Sequence, residues 1–268
     1  MRRPEGRGLG GPDETLARHW LVRALTKSPG PPEETLAELA HSANWRLPDT
    51  VQIVALTPAP GRHRGVLQQS DVLADWHAET PFLLIPDPAP DSLTLVRRAL
   101  RGTTAAIAPV VPRPYAAASL RWSRTMLALV PEHRGAQTRM VRVEEHLATV
   151  LLLQDEALLR LFTGRLLHPL ADLTQRQNER ATETLLAWLE NGNGARAAEA
   201  LGVHPQTVRY RLRRLGKLFG PLLRDPQRRF ELELALRASR LADELRRKHL
   251  RVPARRRPDT PEVWSRQC

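Results

Sequence analysis

The sequence of 268 residues predicts an α+β fold, in which a mixed α/β region is followed by an all-α region. Short apolar and β-branched runs alternate with helical patterns as far as about Pro131, which is typical of a sheet covered by helices. From about Val141 onward only helical periodicity is found. Charge marks the same division, because residues 188–268 carry 19 of the 41 Lys and Arg residues but only 9 of the 29 Asp and Glu residues.

Residues 1–45 are predicted to form a disordered start and two helices. The first twelve residues are rich in Gly, Arg and Pro and are expected to be disordered. A first helix is predicted from Asp13 to the Pro/Gly cluster "SPGPP". The segment "PPEETLAELAHSANW" predicts a second helix, with Pro32 and two Glu residues in its first turn, where the helix dipole favours acidic groups.

Residues 46–135 are predicted to form the α/β region. The run Thr50–Pro58 is β-branched and bounded by proline, which indicates a buried strand. "DVLADWH", "PFLLIPDP" and "TAAIAPVVP" are further short apolar runs. Helices are predicted at Asp91–Gly102 and Pro114–Pro131. Asp87 lies between two prolines and is interpreted as a strand terminator rather than a metal ligand.

Residues 140–180 are predicted to be a helical connector, with breaks at Gly164 and Pro169. Residues 181–245 then carry the parts of a helix-turn-helix unit. The Ala-rich segment "NGARAAEALG" predicts a short helix that another helix can approach closely, and Gly202 is expected to end it. Pro205 suits the first position of the next helix, because the N–H that it lacks has no partner there.

The helix from Pro205 to Phe219 is predicted to have one apolar and one cationic face. At about 100° per residue, Val208, Leu212 and Leu215 fall on one side with Phe219. The opposite face is polar, and its Arg and Gln residues are suited to guanine and adenine edges in a DNA major groove. An ordinary solvated surface is the alternative interpretation. The residues predicted to contact DNA are Arg196, His204, Gln206, Thr207, Arg209, Tyr210, Arg213, Arg214 and Lys217.

The C-terminal segment resembles the helix-turn-helix domain of the PucR/CdaR family of bacterial transcriptional regulators. The resemblance implies binding of double-stranded DNA by the Pro205–Phe219 helix. The residues that carry it are Thr184, Leu185, Trp188, Leu189, Ala197, Ala198 and Leu201, the core "VHPQTVRYRLRRL" from Val203 to Leu215, and "DPQRRFELELAL" from Asp225 to Leu236.

Residues 48–131 resemble, more weakly, the degenerate GGDEF-like middle domain of the same family. The likeness lies in the hydrophobic pattern and in the order of the two domains. No Gly-Gly-Asp-Glu-Glu-Phe-type motif occurs in this region, so we expect it neither to make nor to bind a cyclic dinucleotide. Relatives often carry a further N-terminal sensory domain, for which we expect no room here. The resemblance therefore leaves open a small-molecule effector of unknown identity.

Asp225 and Pro226 are predicted to begin a last long helix. Its apolar side chains, among them Phe230, Leu232 and Leu236, are expected to cover the recognition unit from behind. Residues 250–268 are predicted to be a basic, disordered tail. Attraction of the tail to DNA phosphates and the absence of any contact both remain open.

Composition argues against other classes of protein. The nine His residues include no H-x-x-x-H pair, and no G-x-S-x-G or P-loop motif occurs, so we expect no catalytic activity, no metal and no cofactor. An RNA-binding protein is disfavoured by the aromatic content of 4%. A non-catalytic adaptor stays an alternative. A single Cys, no signal peptide and no long apolar run predict a cytoplasmic protein without a membrane segment.

A homodimer is also predicted, because one helix-turn-helix unit offers few base contacts. The segment Val143–Leu173 has more apolar side chains than its short helices need. These side chains are expected to pair two copies of the chain. The alternative is that they join the two domains of one chain.

Overall fold

The computed structural model describes residues 12–58, 71–100, 102–131 and 139–251. These residues belong to two compact units, divided between Phe162 and Thr163. The predicted disordered start lies outside the described residues except for Pro12, and so does the predicted tail beyond Arg251. The predicted order, a mixed α/β region followed by a helical region, is confirmed.

The first unit combines helices with one six-stranded sheet. Its strands are β1 (Thr50–Leu56), β2 (Leu73–Asp75), β3 (Phe82–Pro86), β4 (Thr104–Ile107), β5 (Val111–Pro112) and β6 (Arg139–Arg142). Its helices are α1 (Pro12–Leu25), α2 (Glu33–Ser42), α3 (Ser92–Ala99), α4 (Ala116–Leu129) and α5 (Leu147–Leu152), and α6 (Glu156–Leu167) crosses the division between the units.

The sheet has the strand order β2-β3-β1-β4-β6, and β5 also pairs with β1. The strand β1 is antiparallel to β3, β4 and β5, whereas β6 is parallel to β4. Helices cover both faces. Ile53 packs in one cluster with residues of α1, α2 and α4, and Val54 packs in another with residues of α3. Because both faces of β1 are buried, its sequence is mostly apolar rather than alternating. An exception within the strand is Gln52, whose buried side-chain amide donates to Ala108 O at 3.0 Å.

Two details of the α/β region differ from the prediction. The run "TAAIAPVVP" forms two short strands, β4 and β5, rather than one. The strand β6 was missed, because "RMVR" at residues 139–142 is polar and only half-buried. It ends at Arg142, just where only helical periodicity was expected. The helices α1 and α2, predicted to precede the α/β region, contribute Leu21 and Leu36 to the same core as the sheet.

Asp87 ends β3 and holds the start of β1. Its backbone has φ of 35°, and its carboxylate Oδ1 accepts hydrogen bonds from the backbone N–H groups of Asp49 (3.1 Å) and Thr50 (2.9 Å). The Thr50 hydroxyl donates to the same oxygen at 3.1 Å. Asp is among the few residues that tolerate positive φ, since its side chain bonds the backbone locally. The interpretation of Asp87 as a strand terminator is confirmed.

The second unit has helices and turns but no strand among its described residues. The predicted break at Gly164 is wrong, because α6 continues to Leu167, while the break at Pro169 is confirmed. The unit contains α7 (Gln175–Asn191), α8 (Gly194–Ala200), α9 (Pro205–Phe219) and α10 (Pro226–Arg251). The helix α7 packs against the other three. The core joins Leu170, Leu185, Leu186, Leu215, Phe219, Leu232 and Leu236.

The described residues contain neither a membrane-spanning helix nor a metal-binding cluster. Among the described helices, none is long and apolar enough to cross a bilayer. Within the same ranges, no group of three or more His, Cys, Asp or Glu side chains is placed so that it could hold a metal ion.

Candidate nucleic-acid interface

A tight turn joins α8 to α9. Asn193 caps the start of α8, because its side-chain oxygen accepts from the backbone N–H of Arg196 at 2.9 Å. At the other end Gly202 has φ of 63°, the Gly202 N–H donates to Glu199 O, and the Val203 N–H donates to Ala198 O. This pair of bonds is the Schellman arrangement that satisfies the last carbonyls of a helix. The turn therefore fixes the direction in which α9 leaves α8.

His204 is the N-cap residue of α9. Its Nδ1 accepts a hydrogen bond from the backbone N–H of Gln206 at 3.2 Å, and Pro205 follows at the first helical position. The cap leaves Nε2 as the ring nitrogen that can donate to a partner. The sequence analysis gave His204 only a DNA-contact role and missed this cap. A polar residue directly before a proline at the helix start is the signal that could have revealed it.

The apolar side of α9 packs as predicted. Val208 is fully buried in a cluster with Ala197 and Ala198 of α8. Leu212 is half-buried and contacts both this cluster and the larger core. The small Ala side chains allow the two helices to approach closely, as the sequence analysis inferred. The predicted helical phase of α9 is confirmed.

The polar side of α9 is open to solvent. Of the nine predicted DNA-contacting residues, Thr207 alone is half-buried. Seven of the nine lie within α9, His204 caps the start of that helix, and Arg196 lies on α8. Gln206 also accepts a 3.5 Å hydrogen bond from Arg209 Nη1. The exposed members are Arg196, His204, Gln206, Arg209, Tyr210, Arg213, Arg214 and Lys217.

The cations of this surface have no acidic partners within the part of the chain that the structure describes. None of Arg209, Arg213, Arg214 and Lys217 has a described carboxylate within 4.0 Å. The arginines of α10 differ. Ion pairs there join Arg228 to Glu231, Arg237 to Glu233 and Glu190, Arg240 to Glu244, and Arg246 to Asp243. The helix α9 has five basic and no acidic residues in 15 positions, whereas α10 has eight basic and four acidic residues in 26. Positive charge is therefore denser on α9.

Arg211 is the cation of α9 that turns inward. Its Nη1 donates to the hydroxyl of Thr184 on α7 at 3.2 Å, and that hydroxyl donates to Arg180 O at 2.7 Å. The side chain of Thr184 is buried. Arg211 thus fastens α9 to α7 and is not part of the solvent-exposed cationic face.

The helix α10 supports the unit from behind but differs from the prediction in two ways. Leu232 and Leu236 are buried in the core, whereas Phe230 is exposed, so Phe230 does not cover the recognition unit. The guanidinium of Arg229 lies over the Trp188 ring, 4.9 Å from its centre, and covers part of that surface instead. The helix also continues to Arg251, so residues 250 and 251 are helical rather than part of a disordered tail.

Comparison with known proteins agrees with this geometry. Residues 181–238 match the PucR C-terminal helix-turn-helix domain. This range includes α8, α9 and the first half of α10, and all nine predicted contact residues.

One curated protein is similar to less than half of the chain, and one solved structure aligns with most of it. A protein of Thermomonospora curvata, described as "Uncharacterized protein in pkwA 5'region", is 35% identical over 121 residues. That alignment covers 44% of this chain and 63% of the relative, so the chain spans less than two thirds of the relative's length. A crystal structure described as a regulator of polyketide synthase expression from Bifidobacterium adolescentis aligns with a TM-score of 0.42 and 19% identity, over 87% of this chain and 96% of that chain.

Proposed function

We propose that this chain, whose residues 181–238 are a PucR-type C-terminal helix-turn-helix domain, is a sequence-specific DNA-binding transcriptional regulator of the PucR/CdaR type. In this proposal α9 enters the major groove, and the protein has no catalytic activity of its own. The compartment follows from the function, since a bacterial protein that reads DNA acts in the cytoplasm.

The observation that carries the proposal is the unpaired cationic face of α9. A solvated surface helix often pairs its cations with neighbouring carboxylates, as Arg228, Arg237 and Arg240 of α10 do. Four exposed cations without described acidic partners instead favour a polyanion. Gln206 and Thr207 lie in the first turn of α9, the part of a recognition helix whose side chains reach base edges, and Arg209 follows that turn directly.

Different roles are proposed for the two kinds of side chain on this face. Gln206 and Arg213 can each form two hydrogen bonds with a base edge, to adenine and guanine respectively. They lie seven positions apart, about 10 Å along the helix, which corresponds to about three base pairs. Arg196, Tyr210 and Lys217 are assigned to phosphates, which position the helix without reading sequence.

Binding of the full chain to DNA fragments over a range of salt concentrations tests the proposal. We expect binding that weakens steeply with salt, because each neutralised phosphate releases a counterion. Lys217→Gln is expected to weaken binding to all duplexes alike and to reduce the slope of log K against log salt by about 1. Arg237→Gln on α10 is the matched control and should leave that slope unchanged, since Arg237 is already paired with Glu190 and Glu233.

The rival functions give different results in the same assay. Tighter binding to single-stranded RNA than to duplex DNA would indicate an RNA-binding protein. If the chain binds neither nucleic acid at low salt, the remaining alternative is a non-catalytic protein-interaction adaptor. Both results would contradict the proposal.

We also propose that the protein acts as a homodimer. Four leucines of α5 and α6 are exposed, at i and i+4 on the first helix and at i and i+3 on the second, so each pair shares a helix face. Leu151 is 74% exposed and Leu158 is 62% exposed. Neighbouring exposed apolar side chains of this kind often mark an interaction surface. The other two are Leu147 and Leu161. A second copy of the chain would both cover this surface and supply the second recognition helix.

Sedimentation of the protein at micromolar concentration tests the dimer. The unmodified chain is expected to sediment as a dimer and to bind one duplex with two copies. The double variant Leu151→Ser, Leu158→Ser should sediment as a monomer. Leu16→Ser, at a similarly exposed leucine of α1, is the control and should remain a dimer. A monomer that binds DNA one-to-one would rule out the dimer and leave the DNA-binding proposal standing.

The remaining assignments of the first unit are proposals as well. Residues 46–135 are proposed to be a GGDEF-like regulatory domain. Residues 140–180, predicted as a helical connector, begin within the strand β6, so the proposed connector is helical only beyond Arg142. An effector, if the protein has one, would act through this unit.

A further inference from the structure

The α/β unit contains a cavity of about 910 Å³. Its walls come from the end of α1, from α2, from the segment between β2 and β3, and from α4. The volume is within the range of about 300–1,000 Å³ typical of small-molecule sites. The cavity is therefore large enough for an organic molecule of one or two rings.

Much of the cavity wall is apolar. Phe82 and Leu120 are nearly fully buried and line it, together with Leu39 of α2. Trp20 lies at the cavity and is 54% exposed, although an indole gains from burial. A ligand with an apolar body would cover this indole.

Arg124 provides a charged group in that apolar wall. Its guanidinium lies over the Phe82 ring, 5.6 Å from its centre, and Nη2 donates to Thr80 O at 3.5 Å. The Nε atom is buried and has no hydrogen-bond partner among the described residues. Burial lowers the pKa of the Arg124 guanidinium, and the carboxylates of Asp75 and Glu79 oppose that shift. A guanidinium carries five N–H donors, so most of its capacity to bind an anion is unused within the described protein.

Arg124 is the half-buried cation at the cavity, whereas Arg23 and Lys27 are exposed. Asp75 Oδ1 accepts from the backbone N–H groups of His77 and Ala78, each at 3.0 Å. Asp75 Oδ2 is 3.9 Å from Arg23 Nε, so the two charges partly balance. Lys27 and Glu79 are exposed at the same cavity. The five ionisable lining side chains together carry a formal charge of +1, which one carboxylate would neutralise.

We propose that this cavity binds a small organic monocarboxylate with an apolar body. The carboxylate forms charge-assisted hydrogen bonds with Arg124, and the body packs against Trp20 and Leu120. The site is separate from the α9 surface, so binding here does not depend on the DNA-binding proposal. Under the proposed function, such a ligand would be an effector.

Two matched pairs of probes test the proposal on the full chain by titration calorimetry. The pairs are 2-naphthoate with 2-naphthamide, and octanoate with octanamide, because each pair differs only in the charged group. We expect at least one of the two carboxylates to bind. The matching amide should have an affinity about tenfold lower, or no measurable binding. The indole N–H resonance of Trp20, assigned by Trp20→Phe, is expected to shift with the carboxylate.

Two variants on α4 locate the anion site. Arg124→Gln is expected to lose about tenfold or more in affinity for the carboxylate that binds. Arg121 lies one turn away on α4, is exposed and does not line the cavity. The variant Arg121→Gln should therefore bind the carboxylate as tightly as the unmodified chain does. Failure of both carboxylates to bind at millimolar concentration would overturn the proposal. Equal affinity for acid and amide in the unmodified chain would also overturn it, even if Arg124→Gln fails to fold.

Discussion

Leu215→Ala is expected to lower the free energy of unfolding of the C-terminal unit by about 2–5 kcal/mol. Leu215 is 3% exposed and lies in the core with Leu185 of α7 and Leu232 of α10. Removing its methyl groups would leave a cavity where three helices meet. The loss is a large part of the roughly 5–15 kcal/mol that stabilises a typical domain. DNA binding should weaken as a consequence, because the position of α9 depends on this core.

Leu218→Ala is the matched control for that prediction. Leu218 lies on the same helix and is 38% exposed, so the same substitution should change stability by much less. Hydrogen exchange of the full chain, followed by mass spectrometry, resolves peptides of α7 and α10 from those of the sheet. Protection of α7 and α10 should fall in Leu215→Ala while the sheet stays protected. Equal losses of protection in the two variants would show that α9 buries a different side from the one that carries Leu215.

Gln206→Ala and Arg213→Ala are expected to have the second large effect, on sequence preference. Each should lose roughly 1–3 kcal/mol of discrimination at the base pair that the side chain reads. Binding to random DNA should persist, because the remaining cations still attract phosphates. Both side chains are exposed, so neither substitution is expected to disturb the core. An equal loss on preferred and random duplexes would assign these residues to phosphates.

The helix-turn-helix unit could largely be predicted from sequence, because its signals are local. Gly202 is needed where φ is positive, and Pro205 suits the first helical turn. The spacing of Val208 and Leu215 placed the buried stripe correctly. Each of these signals depends on backbone conformation or on helical periodicity within a few residues. The same is true of β1, whose mostly apolar sequence reflects helices on both faces of the sheet.

The features that sequence reasoning missed depend on contacts between distant segments. The strand β6 is polar and short, and its pairing with β4 across some thirty residues defines it. The sequence predicted no role for Arg211, and only the position of Thr184 shows that its side chain turns inward. Phe230 reads as core, yet α10 presents Leu232 and Leu236 to the other helices instead. The cavity beside Arg124 likewise joins four segments that are far apart in the sequence.

Selection of bound duplexes from a random DNA pool, with the full chain and in parallel with Gln206→Ala, tests the central claim most directly. The unmodified chain is expected to enrich one motif present as two half-sites, with centres about 34 Å or a multiple of that distance apart. Gln206→Ala should enrich a motif in which one position of each half-site has become degenerate. Enrichment of no motif by the unmodified chain, or of an identical motif by both proteins, would contradict sequence reading by the first turn of α9.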